Sequence, residues 1–314
     1  MADDFAHQVV DAINDISGLH AGHRAAHARG MLAAGTFVAT PEAARLTRAP
    51  HMQGERVRAT VRFSNGGGDP GTPDHATEGR GMAVKLYLAD GSRTDMVALS
   101  LPVFFARTPQ DFFEFTRARK PDPETGQPDT ERLGAWFAAH PEAGPAIQAA
   151  VTAPPPASYA ACAYNGIHAF RWVNAAGEGR FVRFRWEPEG DVETLDADEA
   201  RARGDRYLQE ELAARMAAGP IAFRLVLTLA EPDDPVADPT AIWPEDREQV
   251  VAGHLELTGP ELERERDGDV LVFDPTRVVD GIELSDDPIL HFRRRAYAVS
   301  VERRSGVALG AEAG

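Results

Sequence analysis

The 314-residue chain has a single cysteine, Cys162, so no internal disulfide is open to it, and a reducing cytoplasm is the compartment that suits it. A catalytic thiol is the alternative; a small side chain packed in the interior is the expected role. Basic charge is scarce, with 33 Lys and Arg against 49 Asp and Glu and a net charge of −16. Nucleic acid and anionic membrane surfaces are therefore poor partners. No apolar run approaches the length of a membrane span. The opening residues, MADDFAHQVVDAINDISG, lack the basic and then apolar pattern of a secretory leader. Internal repeats and low-complexity linkers are also missing, so residues 1–314 read as one domain. What remains is an ordinary globular composition, 43% hydrophobic and 26% charged.

Hydrophobic periodicity supplies the elements. Phe5, Val9, Ile13 and Ile16 share one helical face over residues 5–17. In RVRATVRFS, residues 56–64, Arg56, Arg58, Thr60, Arg62 and Ser64 alternate with Val57, Ala59, Val61 and Phe63, the period of a strand. NGGGDPG (65–71) follows as a turn; no GKS or GKT accompanies its glycines, so it is not a phosphate loop. GMAVKLYL, ADGS and TDMVALSL predict a hairpin. Helical pieces are expected over 109–152, strands in GIHAFRWVN and GRFVRFRWEP, one long helix over 196–219 with a solvated acidic face, and a strand pair in IAFRLVLTLAE and QVVAGHLELTG. A last helix starts with Asp287 as N-cap and Pro288 in the first turn. Helices and strands are segregated along the chain, which predicts an α+β fold with a mostly antiparallel sheet. More than five such strands favour closure into a barrel.

One stretch asks for a chemical explanation. In HFRRRAYAVSVERR, residues 291–304, Arg293 and Tyr297 are four apart and so share a helix face. Arg304 returns to that face about 10 Å further along the axis. An arbitrary RxxxY is ordinarily a core tyrosine with a wet hydroxyl beside solvated arginines. A guanidinium at hydrogen-bond distance, however, favours phenolate. A buried phenolate needs a second cation, which a metal ion supplies, and haem iron is one acceptor of a tyrosine ligand.

RRRAY and its surroundings, FDPTRVVDGIELSDDPILHFRRRAYAVSVERR, resemble the proximal haem-ligand segment of the catalase family. The resemblance continues in collinear order through HRAAHARG (23–30), VRFS (61–64), RGMAVKLY (80–87), DMV (95–97), PVFFARTPQDF (102–112) and NGIHAF (165–170), and so covers residues 20–304. WPED (243–246) resembles another catalase segment and is assigned no chemistry. The family implies an α+β catalase-like antiparallel β-barrel with surrounding helices and haem b between the barrel and a C-terminal helix. It would divide the chain into an N-terminal helix (1–20), a barrel with inserted helices (21–258) and a lead-in to the proximal helix (259–304).

The resemblance also implies roles. Tyr297 would ligate iron with Arg293 beside it, His27 would act as distal acid–base group, and Ser64 would hold the His27 ring. Arg24, Arg62 and Arg304 would bind haem propionates, and Phe112 would stack on the distal side. By propensity alone HRAAHARGMLAA reads as helix; the family implies an extended segment there, and that is the expectation taken.

Two departures from catalases bear on the activity. Aligning DMVALSLPVFF places Ser100 where catalases carry an asparagine that orients hydrogen peroxide, so dismutation should be weak. The chain also ends about ten residues past Arg304, without the wrapping and C-terminal segments of full-length catalases. Both features resemble short catalase-related peroxidases, which implies reduction of organic hydroperoxides by small organic electron donors, and a homo-oligomer other than the full-length catalase tetramer. The alternatives are a hydroperoxide isomerase of the allene-oxide-synthase type, told apart by products formed without a donor, and a haem carrier or sensor, which has no need of the His27–Ser64 pair.

Overall fold

The computed structural model describes residues 2–122, 124–261 and 270–305. The helix α1 (Ala2–Ser17) leads into strand β1 (Gly30–Ala39), a short helix α2 (Pro41–Leu46), and strands β2 (Arg56–Asn65), β3 (Arg80–Tyr87) and β4 (Arg93–Leu99). Three helices follow, α3 (Pro109–Ala118), α4 (Thr130–Ala139) and α5 (Gly144–Thr152), then β5 (Tyr164–Asn165), β6 (Phe170–Val173) and β7 (Gly179–Pro188). The chain continues through α6 (Ala197–Ala202), α7 (Tyr207–Ala218), β8 (Ile221–Leu229), β9 (Gln249–Pro260), β10 (Ile282–Leu284) and α8 (Pro288–Ser305).

All strand pairings are antiparallel, in the order β10-β6-β7-β5-β4-β3-β2-β1-β9-β8, and β8 pairs back onto β7. That last pairing closes eight strands into a barrel and leaves β6 and β10 as a flap on its side. The inward face is filled by large side chains: Phe63 lies 5.7 Å from Tyr159, 5.9 Å from Tyr164 and 6.0 Å from Phe223, ring centre to ring centre. A barrel this full has no room for a ligand, so any large cavity must lie outside it.

The strand alternation of β2 is obeyed, with Val57, Ala59, Val61 and Phe63 all turned inward and buried. The polar face behaves in two ways. Arg56 and Arg58 are exposed, whereas Thr60, Arg62 and Ser64 are buried although they face outward. Buried polar groups on a barrel exterior mark where other elements cover the sheet. Here the cover is α1, α8, and the chain around Leu271, Val272 and Phe273. A buried cluster pins that chain to the sheet: Lys85 bonds Asp95 and donates 2.9 Å to the Val272 carbonyl, while Asp95 accepts the Asp274 N–H at 2.9 Å. Residues 262–269 of the expected 259–304 lead-in lie outside the described residues.

One expectation is corrected. Residues 196–219 form two helices, because Gly204 takes a left-handed φ of +92° and Leu208 N–H is drawn 2.9 Å to Asp74 Oδ2. Residues 23–29 are irregular and helix-free despite their alanines, in keeping with the extended course implied by the family and against propensity. Among the described residues, no helix is long and apolar enough to cross a membrane.

Candidate active site

Strand register decides which side chains meet under the covering helices. In antiparallel pairs, residues directly opposite share a face. Ser64 pairs with Gly81 and Gly81 with Leu99; Arg62 pairs with Ala83 and Ala83 with Val97. These two rows run across β2, β3 and β4 and form one wall of a cavity of about 240 Å³. The segment carrying Arg24 and His27, the α8 residues Arg293, Tyr297, Ser300 and Arg304, the ring of Phe112, and Val9, Val10 and Ile13 of α1 complete it.

His27 enters on a left-handed turn, with φ +56°, the only positive φ at a non-glycine among the described residues. Its backbone N–H is fixed by the Gly66 carbonyl at 3.1 Å, and its ring Nδ1 lies 3.0 Å from Ser64 Oγ. Gly81 makes room for that pair: a Cβ there would fall 2.8 Å from Ser64 Oγ and 2.9 Å from His27 Nδ1. Burial, with the positive charges of Arg62, Arg293 and Arg24, pushes the His27 pKa down to about 3. The imidazole is therefore neutral at physiological pH and free to take a proton.

On α8, Arg293 Nε donates to Tyr297 Oη at 2.8 Å, one turn along the same face. The pair belongs to a longer chain of contacts. Arg293 Nη1 meets His168 Nε2 at 2.9 Å, and His168 Nδ1 meets Asp287 Oδ2 at 2.6 Å. An arginine can only donate, so Nε2 must accept and the His168 proton must sit on Nδ1, pointing at Asp287. Burial pushes the His168 pKa down to about 4, which keeps the ring neutral. Asp287 has two tasks: its other oxygen, Oδ1, accepts the Ile289 and Leu290 N–H groups at 2.8 and 3.3 Å and caps α8.

The three predicted arginines also converge. Arg24 and Arg304 donate to the same carbonyl, Leu271 O, at 2.9 and 3.1 Å. Arg62, 5% exposed, reaches the Ala28 carbonyl at 3.3 Å. Three guanidiniums at the margin of an otherwise apolar cavity suit a ligand with an apolar body and carboxylates at one edge.

A family model described as Catalase matches residues 6–310. A catalase-related peroxidase of Mycolicibacterium paratuberculosis is 44% identical over 309 residues, covering 98% of this chain and 96% of its own. A catalase-related peroxidase of Synechococcus elongatus is 35% identical over 298 residues, covering 95% and 88%. A fungal catalase crystal structure superposes with TM-score 0.81 at 27% identity, covering 90% of this chain and 59% of that one. The chain belongs to the catalase family.

Catalases are haem enzymes, and the side chains present fit the group: a phenol oxygen held by a guanidinium, three arginines for carboxylates, a neutral imidazole, and apolar walls. Phe112 lies nearly parallel to Phe104, at 8° and 6.0 Å, and both rings line the cavity. One catalase position is corrected. Ser100 is not among the lining residues; its hydroxyl accepts the Arg80 N–H at 2.8 Å and is thereby occupied. The neighbour one residue earlier, Leu99, stands in the row with Gly81 and Ser64, and the β4 residues lining the cavity, Val97, Ala98 and Leu99, are all apolar.

Cys162 takes no part. It is half-buried, its Sγ lies 3.8 Å from the Tyr159 carbonyl, and burial pushes its thiol up to about 11. Sequence reasoning missed His168, Leu271 and Leu99, and saw only the capping half of Asp287. NGIHAF contains His168, but nothing local points that imidazole at a helix 125 residues away.

Proposed function

We propose that this catalase-family enzyme is a haem b peroxidase that reduces organic hydroperoxides with small organic electron donors and dismutates hydrogen peroxide weakly. Tyr297 would hold the iron through its phenolic oxygen, with Arg293 donating to that oxygen. Arg24, Arg62 and Arg304 would take the propionates, and Phe112 would pack on the distal face. Bound haem supplies a ferric centre able to accept a hydroperoxide oxygen and furnish electrons for O–O cleavage. His27 supplies the proton chemistry. Its free ring nitrogen takes the hydroperoxide proton and returns it to the departing alkoxide oxygen, so an alcohol leaves rather than an alkoxide. Ser64 fixes the ring through Nδ1, and burial, with the Arg62, Arg293 and Arg24 charges, keeps the imidazole unprotonated until it is needed.

The observation that carries this reading is that the His27–Ser64 pair and the Arg293–Tyr297 pair open onto one cavity. The preference for organic hydroperoxides is supported by Leu99, Val97 and the α1 residues Val9, Val10 and Ile13, which give an alkyl group apolar contacts and give a second hydrogen peroxide molecule no side-chain hydrogen bond. The names of the two catalase-related peroxidases point the same way. The test is a visible spectrum with stopped-flow kinetics. Tyr297→Phe should lose the tyrosinate-haem spectrum of the wild type. His27→Ala should keep a haem band and cleave cumene hydroperoxide slower by about 10²–10⁴-fold, the usual contribution of a general acid–base. Unchanged cleavage by His27→Ala would refute its role, and a wild type that takes up no haem would refute the whole reading.

A further inference from the structure

A second concavity, of about 280 Å³, lies on the outer side of α3 and α4, apart from the haem cavity. Glu114 and Arg117 of α3 line it, with Arg132 and Trp136 of α4 and the following His140. Its lining carries two guanidiniums against one carboxylate on a chain whose net charge is −16, while Asp111 and Glu142, outside the lining, lie within 4.8 Å of His140. Glu114 is already engaged, accepting from Gln110 at 2.8 Å. His140 stacks on Trp136 at 4.4 Å and 25°, and Trp136 is only 6% exposed.

Behind Trp136 the rings continue without a break. Trp136 lies 4.6 Å from Phe115, Phe115 lies 4.7 Å from Phe105, and Phe105 lies 5.6 Å from Phe112, which lines the haem cavity. Phe104, also a lining residue, is 4.5 Å from Phe105. Each step is direct ring contact. The ladder therefore joins a surface groove to the cofactor cavity, and its outermost rung is an indole, the one readily oxidised ring among these five.

We propose that this groove docks the reducing substrate, a phenol bearing a carboxylate, and that Trp136 takes its electron. The inference rests on the peroxidase reading above and names where its electron donor binds. Arg117 and Arg132 meet the carboxylate, and the phenol ring lies against the Trp136 and His140 rings. Cleavage of one hydroperoxide leaves the enzyme short of two electrons. Trp136 passes one inward along the phenylalanines and is refilled by a phenol, which gives up an electron and its hydroxyl proton; a second phenol repeats the step. The sum is one ROOH and two phenols converted to ROH, water and two phenoxyl radicals. Trp136 Nε1 is buried and, among the described residues, has no hydrogen-bond partner. Nothing beside it takes its proton, so the oxidised indole stays a radical cation and a strong acceptor for the next electron. A donor used this way never has to enter the haem cavity.

The test uses holoenzyme, cumene hydroperoxide, 4-hydroxycinnamate and the methyl ester of that acid. In Trp136→Phe the donor-dependent phase should slow at least tenfold relative to the hydroperoxide-dependent phase of the same sample. Wild type freeze-quenched with hydroperoxide alone should give a tryptophanyl radical signal by electron paramagnetic resonance, missing in Trp136→Phe. Arg132→Glu, an exposed change that spares the ring ladder, should raise KM for the acid at least tenfold and leave KM for the ester nearly unmoved. It should also weaken binding of the acid in saturation-transfer NMR without peroxide. A Trp136→Phe enzyme reduced at the wild-type rate, or an acid-to-ester KM ratio untouched by Arg132→Glu, overturns the proposal while the peroxidase reading stands. A wild type with no hydroperoxide-dependent phase takes down both.

Discussion

Ser100 directly follows Leu99, the last residue of β4, yet only the leucine borders the cavity, and under the peroxidase proposal this one-residue difference would set the chemistry of the pocket. Motif alignment placed a hydroxyl beside His27; register places an isobutyl group there. A period of two turns any slip of one into a change of face. Leu99→Asn would put an amide, both donor and acceptor, into the row with Ser64 and Gly81. That variant should gain hydrogen peroxide dismutation and lose activity toward cumene hydroperoxide, so that the ratio of the two rates, measured by oxygen release and by alcohol formation, rises at least tenfold. Ser100→Ala should leave that ratio where it is. Tyr297, Arg293, His27, Ser64 and the three arginines were legible in the sequence because motif spacing survives without knowledge of the fold. His168 was not, since its meaning comes from a long-range contact with α8.

Helix α8 shows how an element can carry several tasks through one residue. The capping role of Asp287 was legible from the Asp-Pro pair alone; its contact with His168 came only with the fold. Asp287→Ala removes the cap and leaves His168 Nδ1–H and the Arg293 charge without their buried counterweight. Loss of a cap costs about 1 kcal/mol, and breaking a buried charged network costs about 3–5 kcal/mol. Urea unfolding should therefore show a loss of several kcal/mol. Asp287→Asn, which retains an oxygen for the cap, should lose less; equal losses would contradict the division of labour. The barrel strands were legible for a simpler reason, since alternation in a half-buried strand is a local signal. The break between α6 and α7 was not, because the pull of Asp74 on Leu208 comes from another part of the chain.

At the scale of the molecule, buried histidines tie stability to pH. His51 and His168 are each 1% exposed, and burial pushes both pKa values down to about 4 from an unfolded value near 6.5. Between those values the unfolded chain binds a proton that the folded chain refuses. Stability is therefore full above about pH 6.5 and falls as the pH drops toward 4, by about 1.4 kcal/mol per pH unit for each histidine. Other groups titrate in the same range, so the check is a difference. The unfolding free energy of His51→Gln, measured from pH 7 to 4.5, should run shallower than the wild type by about that slope. Parallel curves would show that His51 titrates alike in both states.

The carbonyl of Leu271, held from one side by Arg24 and from the other by Arg304, joins chain segments that lie far apart along the polypeptide. A nascent chain can finish its strands and fill the barrel while α8 is still inside the ribosome. At that moment it has the His27 imidazole but neither the Tyr297 phenol nor the Arg304 guanidinium. Capture of the porphyrin would thus wait until α8 has emerged and folded onto the barrel.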